Sequence, residues 1–532
     1  MEWLWQRKGQ TSMYSPFPND IPGDTRRIGE AILQQHDICR FLGDHVEEIL
    51  ESEDFAGFYA EGGRPGVHPL MLVMVTILQF WEDLPDRKAS EQVVKRIDWK
   101  YALRQELTWM GFHFSDLCHF RQRLLNHEAG HVVFEKVLAY LLGQGYLKKR
   151  GKQRTDSTHV LGQVSRLSQV ELKWESLRMA LSDLMTIDAV WTREQIGLET
   201  VERYSQARAS YRLSKAKLEA LEREVETEGI RVLRQIEEAG RPEWRQLRYV
   251  SLLYAVFRQQ VKCFSAETWD AWENTAADLP TGEILSPHEP EARYAEKRKH
   301  GWVGYKTHVT ESFEEDGTHF ITDTLVTLAQ QHDSVALKRI QDRLIARDVC
   351  PGQQYVDTGY MSAEHIDESA KRGIDLRGKV QADASCKTEG FRLQDFEVDM
   401  QRQVATCPMG KQSVRWRAVT GTANVAFRAS FGRTCRTCPH FTNEACTTLP
   451  SGRRLDINAH HDTLQARRRE QMTPAFRQEM HRRAAVEGLI SEAVRVHDLR
   501  HNRYRGLEKT QFQSDFTAVS INLKRLMSLS AA

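Results

Sequence analysis

The sequence predicts an α/β protein with a mixed-sheet domain, an amino-terminal helical domain, a helical insertion and a small cysteine-rich insertion. Three observations indicate this arrangement. Two short β-favouring segments, 154–160 and 354–357, each carry one aspartate. Apolar residues at helical spacing dominate residues 1–145 and recur after residue 163. Four cysteines cluster between the second aspartate and a basic carboxyl region.

Length and charge limit the function classes only loosely. A chain of 532 residues is too long for one ordinary core, so several domains are expected. The formal net charge of +1 argues neither for nor against nucleic acid, because binding depends on where charge is clustered. From Arg467 to Ala532, thirteen Lys or Arg face seven Asp or Glu, so the carboxyl region is locally basic.

No segment predicts a membrane partner. The longest apolar run, Leu70 to Trp81, is interrupted by Thr76 and Gln79 and falls short of the ~20 residues that a span needs. The amino terminus lacks the pattern of a signal peptide. Nine cysteines, an odd number and mostly scattered, suit a reducing cytosol, so we expect a cytoplasmic protein.

The first 145 residues predict three clear helices. One begins near Pro69, because proline suits a first helical turn. A second runs from Asp86 to Arg104, and a third follows Ser115 as its N-cap.

The helical insertion, residues 163–284, carries a heptad seam. Its apolar positions alternate by three and four: Leu167, Val170, Trp174, Leu177, Leu181 and Leu184. A second stretch, Tyr204 to Glu238, has Tyr211, Leu218 and Val225 at seven-residue steps. We expect the two stretches to pack as an antiparallel hairpin. A coiled coil between two chains is the alternative.

The sheet is predicted to resume after this insertion. Gly301–Val309 and His319–Val326 read as neighbouring antiparallel strands, a helix runs from Asp333 to Arg347, and a strand covers Gln353–Asp357. Together with the strand around Asp156, this order is that of a ribonuclease H-like fold. It predicts that Asp156 and Asp357 lie on adjacent strands.

Carboxylates at such a sheet edge suit metal-assisted phosphoryl chemistry. A strand's carboxyl end faces the crevice where open α/β sheets bind ligands, and a pair of Mg²⁺ ions needs several hard oxygen ligands. Glu487 follows Arg483 by four residues, which predicts one helical face for the two. Competing acids are Asp323, inside a strand, Asp333, suited to a helix N-cap, and Glu479 and Glu492, which lack an arginine four residues earlier.

Three motifs carry a resemblance to a known family. Thr155-Asp156-Ser157-Thr158, Tyr355-Val356-Asp357-Thr358-Gly359-Tyr360 and Arg483-x3-Glu487 are similar to the motifs of the DDE transposases of bacterial insertion sequences, most closely family eleven-eighty-two. The likeness spans nearly the whole chain. Related transposases extend the last motif to Tyr-x2-Arg-x3-Glu-x6-Lys, whereas this chain has Met480 and Val494 at the ends, with Arg495 offered in place of the lysine.

The resemblance implies both activity and partners. It implies cleavage at the element ends and strand transfer into target DNA, with Asp156, Asp357 and Glu487 as catalytic ligands of two Mg²⁺ (or Mn²⁺) ions. Double-stranded DNA is the implied partner, bound by a homodimer in the bacterial cytoplasm near the nucleoid. Residues 1–145, including the segment Ser115–Leu124, would bind transposon ends, and residues 146–162, 285–380 and 455–532 would form the catalytic domain.

The remaining candidates concern zinc and phosphate. In the insertion 381–454, Cys407, Cys435, Cys438 and Cys446 predict a structural Zn²⁺ site, because a Cys-x2-Cys turn supplies two thiolates and the segment lacks an obvious apolar core. Unpaired structural thiols are the alternative. Candidate DNA contacts share a basic or imidazole side chain near the carboxylates or in the carboxyl region: His159, Arg483, Arg495, Arg503, Arg505 and Lys509. His159 is equally explained as a strand histidine facing its neighbours.

Two other function classes compete with a transposase. One is a DNA-binding repressor derived from such an enzyme and catalytically silent, and the presence of all three carboxylates argues against it. The other is a zinc-containing nuclease that cuts without joining.

Overall fold

The computed structural model describes residues 14–59, 66–164, 166–206, 213–260, 282–297, 299–314, 319–382, 390–422, 425–442 and 445–530. Its amino-terminal region is helical, as the sequence predicts. The helices are α1 (Gly23–Ile32), α2 (Ile38–Ile49), α3 (Pro69–Trp81), α4 (Asp86–Lys95), α5 (Ile97–Ala102), α6 (Ser115–Asn126) and α7 (Val132–Gly143), with a 3₁₀ turn at Ser52–Phe58.

The caps of these helices refine the predicted bounds. The imidazole of His68 caps α3 by accepting from the Leu70 amide at 3.2 Å. The single helix predicted from Asp86 to Arg104 is wrong, because Arg96 takes an extended backbone between α4 and α5. Ser115 is the first residue of α6 rather than its N-cap, which is Phe114.

A mixed sheet follows the helical region. Its strands are β1 (Lys152–Leu161), β2 (Arg293–Lys297), β3 (His300–Ser312), β4 (Ile321–Leu328), β5 (Gln353–Tyr355) and β6 (Asp375–Arg377). The long strand β3 pairs antiparallel with β1 along one edge and with β2 and β4 along the other. On the far side of β1, strands β5 and β6 join in parallel. The predicted antiparallel pairing of β3 and β4 is confirmed.

Among the described residues, six helices accompany the sheet: α13 (Asp333–Ala346), α14 (Ala363–Lys371), α15 (His461–Glu470), α16 (Pro474–Ala484), α17 (Val486–Arg495) and α18 (Leu507–Ser530). Helix α18 packs against β4 on one side and against α3 and α7 on another. No helix among the described residues is both long and apolar enough to cross a membrane.

One hydrophobic core joins the amino-terminal helices to the sheet. It contains residues from α2, α3, α6 and α7 together with residues from β4, α13, α17 and α18. Phe80 of α3 stacks on Phe516 of α18, with ring centroids 5.6 Å apart, and also meets Phe512. The helical region is therefore packed on the sheet rather than tethered beside it.

The helical insertion has its own core. It contains α8 (Gln169–Ile187), α11 (Lys215–Glu238) and α12 (Arg248–Gln260), with the short helices α9 (Ala189–Trp191) and α10 (Leu198–Arg203), a π-helical turn at Thr192–Gly197 and a 3₁₀ turn at Pro242–Gln246. Helix α8 packs chiefly on α12 and also on α11, so three long helices replace the predicted hairpin of two. The seam residues Val170, Trp174 and Leu177 are buried inside this core. Tyr211 lies outside the described residues.

The cysteine-rich insertion forms a small β-module. A hairpin pairs β7 (Glu397–Asp399) with β8 (Val404–Thr406), and a three-stranded antiparallel sheet follows in the order β11 (Arg454–Ile457), β10 (Phe427–Ser430), β9 (Arg415–Ala418). Short 3₁₀ turns lie at Leu393–Asp395 and Gly432–Thr437. Contrary to expectation, the module has an apolar core, built from Leu393, Phe396, Ala405, Ala429, Phe431, Leu455 and Ile457.

Candidate active site

Asp156 and Asp357 lie level with each other on neighbouring strands. The parallel register of β1 and β5 pairs Arg154 with Tyr355, and each aspartate is two residues further along its strand direction. β5 ends at Tyr355, so Asp357 stands just past the strand end, whereas Asp156 is still paired with Val309 of β3. The predicted adjacency of the two strands is confirmed.

The two carboxylates interact electrostatically. Burial raises the pKa of Asp156 above its ordinary value, and the charge of Asp357 raises it further. The Ser157 amide, which donates to Asp156 Oδ1 at 2.8 Å, and the guanidinium of Arg483 oppose this shift. A bound cation would relieve the repulsion between the aspartates, because opposite charge favours the ionised form of a carboxyl group.

A glycine turn fixes the position of Asp357. The Gly359 amide donates to Asp357 Oδ1 at 2.7 Å. A Cβ added at Gly359 would lie 3.0 Å from that oxygen and 3.2 Å from Oδ2 of Asp333. Both distances are tighter than ordinary van der Waals contact. A larger residue here would have to displace one of these carboxylates, and the turn brings the second of them, that of Asp333, close to Asp357.

Asp333 is the residue that sequence reasoning misassigned. The N-cap of α13 is His332, whose Nδ1 accepts from the Ser334 amide at 3.3 Å, and Asp333 is the first helical residue. Its carboxylate instead accepts from Lys306 Nζ at 2.8 Å and from Ser157 Oγ at 3.2 Å.

The charge of Lys306 stabilises this carboxylate. Burial alone would raise the pKa of Asp333, but the hydrogen bond and the positive charge of Lys306 outweigh it and lower the pKa below its ordinary value. The sequence feature that could have indicated this role of Asp333 is Lys306, because a lysine in the middle of an apolar strand needs an acidic partner.

A buried tyrosine lies behind the three aspartates. The side chain of Tyr360 is fully buried, and its hydroxyl is 2.6 Å from Nδ1 of His308. Burial raises the pKa of this phenol, and the charges of Asp333, Asp156 and Asp357 raise it further. Tyr360 therefore stays neutral, so it adds no negative charge to the aspartates in front of it.

Arg483 reaches this site, and Glu487 follows it in the next helix. Arg483 Nη1 lies 3.3 Å from Asp156 Oδ2. The single helix predicted to carry both residues is wrong, because α16 ends at Ala484 and α17 begins at Val486. Glu487 lies in the first turn of α17 with an exposed side chain, and no hydrogen bond or ion pair reaches it from the described residues.

The competing acids are occupied by other partners. Asp323 is buried in β4 and accepts from Arg343 and Arg347. Glu479 accepts from Arg377 at 2.6 Å, and Glu492 accepts from Lys524 at 2.7 Å. Each of these acids thus has a structural explanation. Across the described ranges, no three His, Cys, Asp or Glu side chains are grouped closely enough to hold a metal ion.

The four candidate zinc ligands share one cavity. Cys407, Cys435, Cys438 and Cys446 all line it. Burial raises the pKa of the Cys446 thiol, and the other three cysteines raise it further. Backbone amides donate to two of the sulfurs, from Lys411 to Cys407 at 3.3 Å and from Arg453 to Cys435 at 3.4 Å.

Two of the candidate DNA contacts have structural roles. His159 packs against Trp302 of β3, and burial lowers its pKa to about 4, so its ring is neutral at ordinary pH. Arg503 forms an ion pair with Asp83, donates to the Leu84 carbonyl at 3.1 Å and stacks on Phe80. It fastens the carboxyl region to the helical region.

The other candidates face solvent to different degrees. Arg495 and Arg505 are exposed and Lys509 is half-buried, and within the described part of the chain none of these side chains has an acidic partner. Tyr504, which lies among them, accepts from Arg121 at 2.9 Å.

Comparison with known proteins adds two family matches. A model described as a transposase DDE domain matches residues 406–527, and one described as a transposase domain (DUF772) matches residues 27–123. The first match contains Arg483 and Glu487, and the second covers α1 to α6 in large part. Searches of curated proteins and of solved structures returned no match.

Proposed function

Because the chain belongs to the DDE transposases of insertion sequences, we propose that it cuts DNA at the ends of its element and joins the freed strand to target DNA. The observation that carries the proposal is the level placement of Asp156 and Asp357 on adjacent parallel strands. The strand order around them supports a ribonuclease H-like catalytic domain. Glu487, four residues after the arginine that contacts Asp156, is the third proposed carboxylate.

The donor set fits a hard divalent cation. Asp156 and Asp357 repel each other, and carboxylate oxygens are the ligands that Mg²⁺ and Mn²⁺ prefer. Asp156, Asp357 and Glu487 would hold two such ions. When bound, divalent cations neutralise the charge that develops on a phosphodiester and lower the pKa of bound water.

The proposed reaction has two steps. In the first, a water oxygen bonds to phosphorus and the bond to the 3′ oxygen breaks, which leaves a 3′ hydroxyl and a 5′ phosphate. In the second, the oxygen of that 3′ hydroxyl bonds to a phosphorus of the target strand and gives up its proton. The target's bond from that phosphorus to its 3′ oxygen breaks, and the released oxygen takes up a proton to become a new 3′ hydroxyl. The order of the two steps is inferred from the resemblance to the DDE transposases.

Several residues of the chain would organise these steps. The turn at Gly359 orients Asp357, and the Ser157 amide orients Asp156. Arg483 would contact a DNA phosphate once its ion pair with Asp156 opens. The partial burial of Asp156 strengthens the charge interactions around it.

DNA binding is proposed to be divided along the chain. Residues 1–145 would recognise the element ends, and Arg495, Arg505 and Lys509 would contact phosphates near Glu487. A structural Zn²⁺ ion at Cys407, Cys435, Cys438 and Cys446 is the further metal proposed. It is supported by their shared cavity and by the amide donors to two of the sulfurs.

The test is a cleavage and strand-transfer assay on duplexes that carry the element ends, with Mg²⁺. Asp156→Asn, Asp357→Asn and Glu487→Gln should each lower cleavage by about a thousandfold or more, since loss of a metal ligand removes several kcal/mol of transition-state stabilisation. DNA binding should remain. Wild-type binding without cleavage would identify the repressor alternative, and cleavage without joining would identify the nuclease.

A further inference from the structure

The three-stranded sheet of the cysteine-rich insertion has two unlike faces. Register places Trp416, Ala429 and Leu455 in one row and Ala418, Phe427 and Ile457 in another, and both rows include side chains of the module's core. The residues between them point to the opposite face. They are Arg415, Arg417, Arg428, Ser430, Arg454 and Asp456. We call Arg415, Arg417, Arg428 and Arg454 the arginine face.

Folding alone does not favour this arrangement. Arg417 stands directly opposite Arg428, and like charges directly opposite each other destabilise a strand pair. Asp456, the one carboxylate on this face, is engaged by Arg428, with Nη2 2.9 Å from Oδ2. Arg415 and Arg417 are exposed, and among the described residues neither has an acidic partner.

The insertion leaves the main sheet near Asp357, and the chain that follows it leads to Arg483. It leaves the main sheet directly after β6, whose Arg377 pairs with Tyr355, so its first residues start at the sheet edge that carries Asp357. A Cβ added at Gly378 would lie 2.9 Å from the Val356 carbonyl oxygen, next to Asp357 in the chain. The returning chain passes through α15 to α16, whose Arg483 contacts Asp156.

We propose that the arginine face is a DNA-binding surface that contacts the phosphate backbone of the duplex engaged by the carboxylates. Guanidinium groups match phosphate geometry with paired donors and keep their charge. An exposed charged face is often only solvated. Here the exposed guanidinium groups of Arg415 and Arg417, which have no acidic partner among the described residues, and the origin of the module at the active-site edge favour a polyanion as partner. The inference rests on the proposed function, which supplies the DNA.

The experiment is a salt titration of duplex binding with the full-length chain. The test variant is Arg415→Gln, Arg417→Gln and Arg454→Gln together. Each phosphate contact adds about −0.9 to the slope of log affinity against log salt. Three lost contacts should therefore reduce the fall in affinity between 50 and 200 mM salt by about 40-fold relative to wild type.

A matched control removes the same charge elsewhere. Arg193, Arg223 and Arg234 are exposed arginines of the helical insertion, and their replacement by Gln should leave the slope unchanged. Asp456→Asn provides a change of opposite sign. It removes the carboxylate from the face and should strengthen DNA binding. Misfolding cannot produce such a gain, so this variant tests the inference even if the triple variant folds poorly.

The outcomes separate the inference from the proposed function. If the wild-type chain binds duplex DNA with a steep salt slope and the test variant keeps that slope, the arginine face does not contact DNA. If the control variant weakens binding as much as the test variant does, the loss reflects the lower net charge of the chain and not contacts made by the arginine face. Loss of binding to single-stranded RNA but not to duplex would assign the face to RNA. A wild-type chain that binds no DNA would refute the proposed function itself.

Discussion

Arg483 donates to the carboxylate of Asp156, with Nη1 3.3 Å from Oδ2. The negative charge of the neighbouring Asp357 also acts on this carboxylate and raises the pKa of Asp156. A divalent cation bound at Asp156 would therefore compete with Arg483 for that carboxylate.

The first prediction follows from this competition. Arg483→Gln should lower the Mg²⁺ concentration needed for half-saturation by about fivefold, because an ion pair of this exposure contributes about 1 kcal/mol. Cleavage at saturating Mg²⁺ should fall if Arg483 also contacts phosphate. Metal titration by calorimetry measures the first effect. Arg482→Gln, a substitution at the neighbouring position of α16, is the control, and an unchanged metal affinity in Arg483→Gln would contradict the prediction.

A second prediction concerns Asp333. Asp333→Asn should cost about 2 kcal/mol of unfolding free energy, because it weakens a hydrogen bond between charged groups and leaves Lys306 without its carboxylate. Lys306→Met in the same chain should recover stability. If Asp333 also positions Ser157 and Asp357, the double variant should recover stability but not the rate of cleavage. Denaturant unfolding and cleavage rates of the two single variants and the double variant form the test, and full recovery of both would leave Asp333 a purely structural role.

A third prediction concerns acid stability. Burial lowers the pKa of His68 from 6.5 to about 4. Between those pH values the unfolded chain takes up a proton that the folded chain does not, so the free energy of unfolding should decrease as pH falls from about 6.5 to about 4. His68→Asn keeps an acceptor for the Leu70 amide and removes the titration.

The measurement is unfolding free energy against pH for both chains. His68→Asn should give a shallower decline in that window, although not a flat one, because burial also lowers the pKa of His308 to about 3. An unchanged pH dependence would show that His68 is not the group responsible.

The fourth prediction is a zinc content of about one ion per chain. Cys435→Ser should lose the ion and destabilise the insertion, because removing a thiolate leaves an incomplete tetrahedron. Cys118→Ser, at an exposed thiol outside the insertion, should keep it. Elemental analysis of the purified chain and the two variants decides the matter. Metal-free wild-type protein would leave the four cysteines as structural thiols.

A fifth prediction separates two neighbouring arginines. Arg503→Ala should lower the melting temperature, because it removes the ion pair with Asp83 and the stacking on Phe80, and it should change DNA binding little. Arg505→Ala should do the reverse, reducing the salt dependence of binding while stability stays the same. Thermal unfolding and duplex binding across salt concentrations provide the measurements. Equal effects of the two substitutions on binding would argue that both contact phosphate.

Local patterns predicted much of the fold. The strand that carries Asp156, the antiparallel pair β3 and β4, and helix α13 follow from period, turn residues and β-favouring composition. The adjacency of the strands that carry Asp156 and Asp357 was also predicted, from the order of the elements along the chain, and the parallel register then brings the two residues level. Such features depend on residues close together in the chain.

Features that depend on distant contacts were not predictable in the same way. Asp333 resembles an N-cap until Lys306, distant in sequence, is placed beside it. The helix break at Ala485 has no proline or glycine at that position, and the packing of α12 on α8 joins segments that are far apart in the chain. The core of the cysteine-rich module combines residues from several short strands, and none of those strands alone looks apolar enough.

The shared core of α3 and α18 has a geometric consequence. Phe80, Phe512 and Phe516 lock the amino-terminal helices to the sheet that carries the aspartates, and removal of residues 1–145 would uncover this aromatic surface. Any base sequence read by those helices is therefore held at a constant distance from the scissile phosphate. The helical region would act as a molecular ruler, and the number of base pairs between the recognised sequence and the cut would be built into the chain.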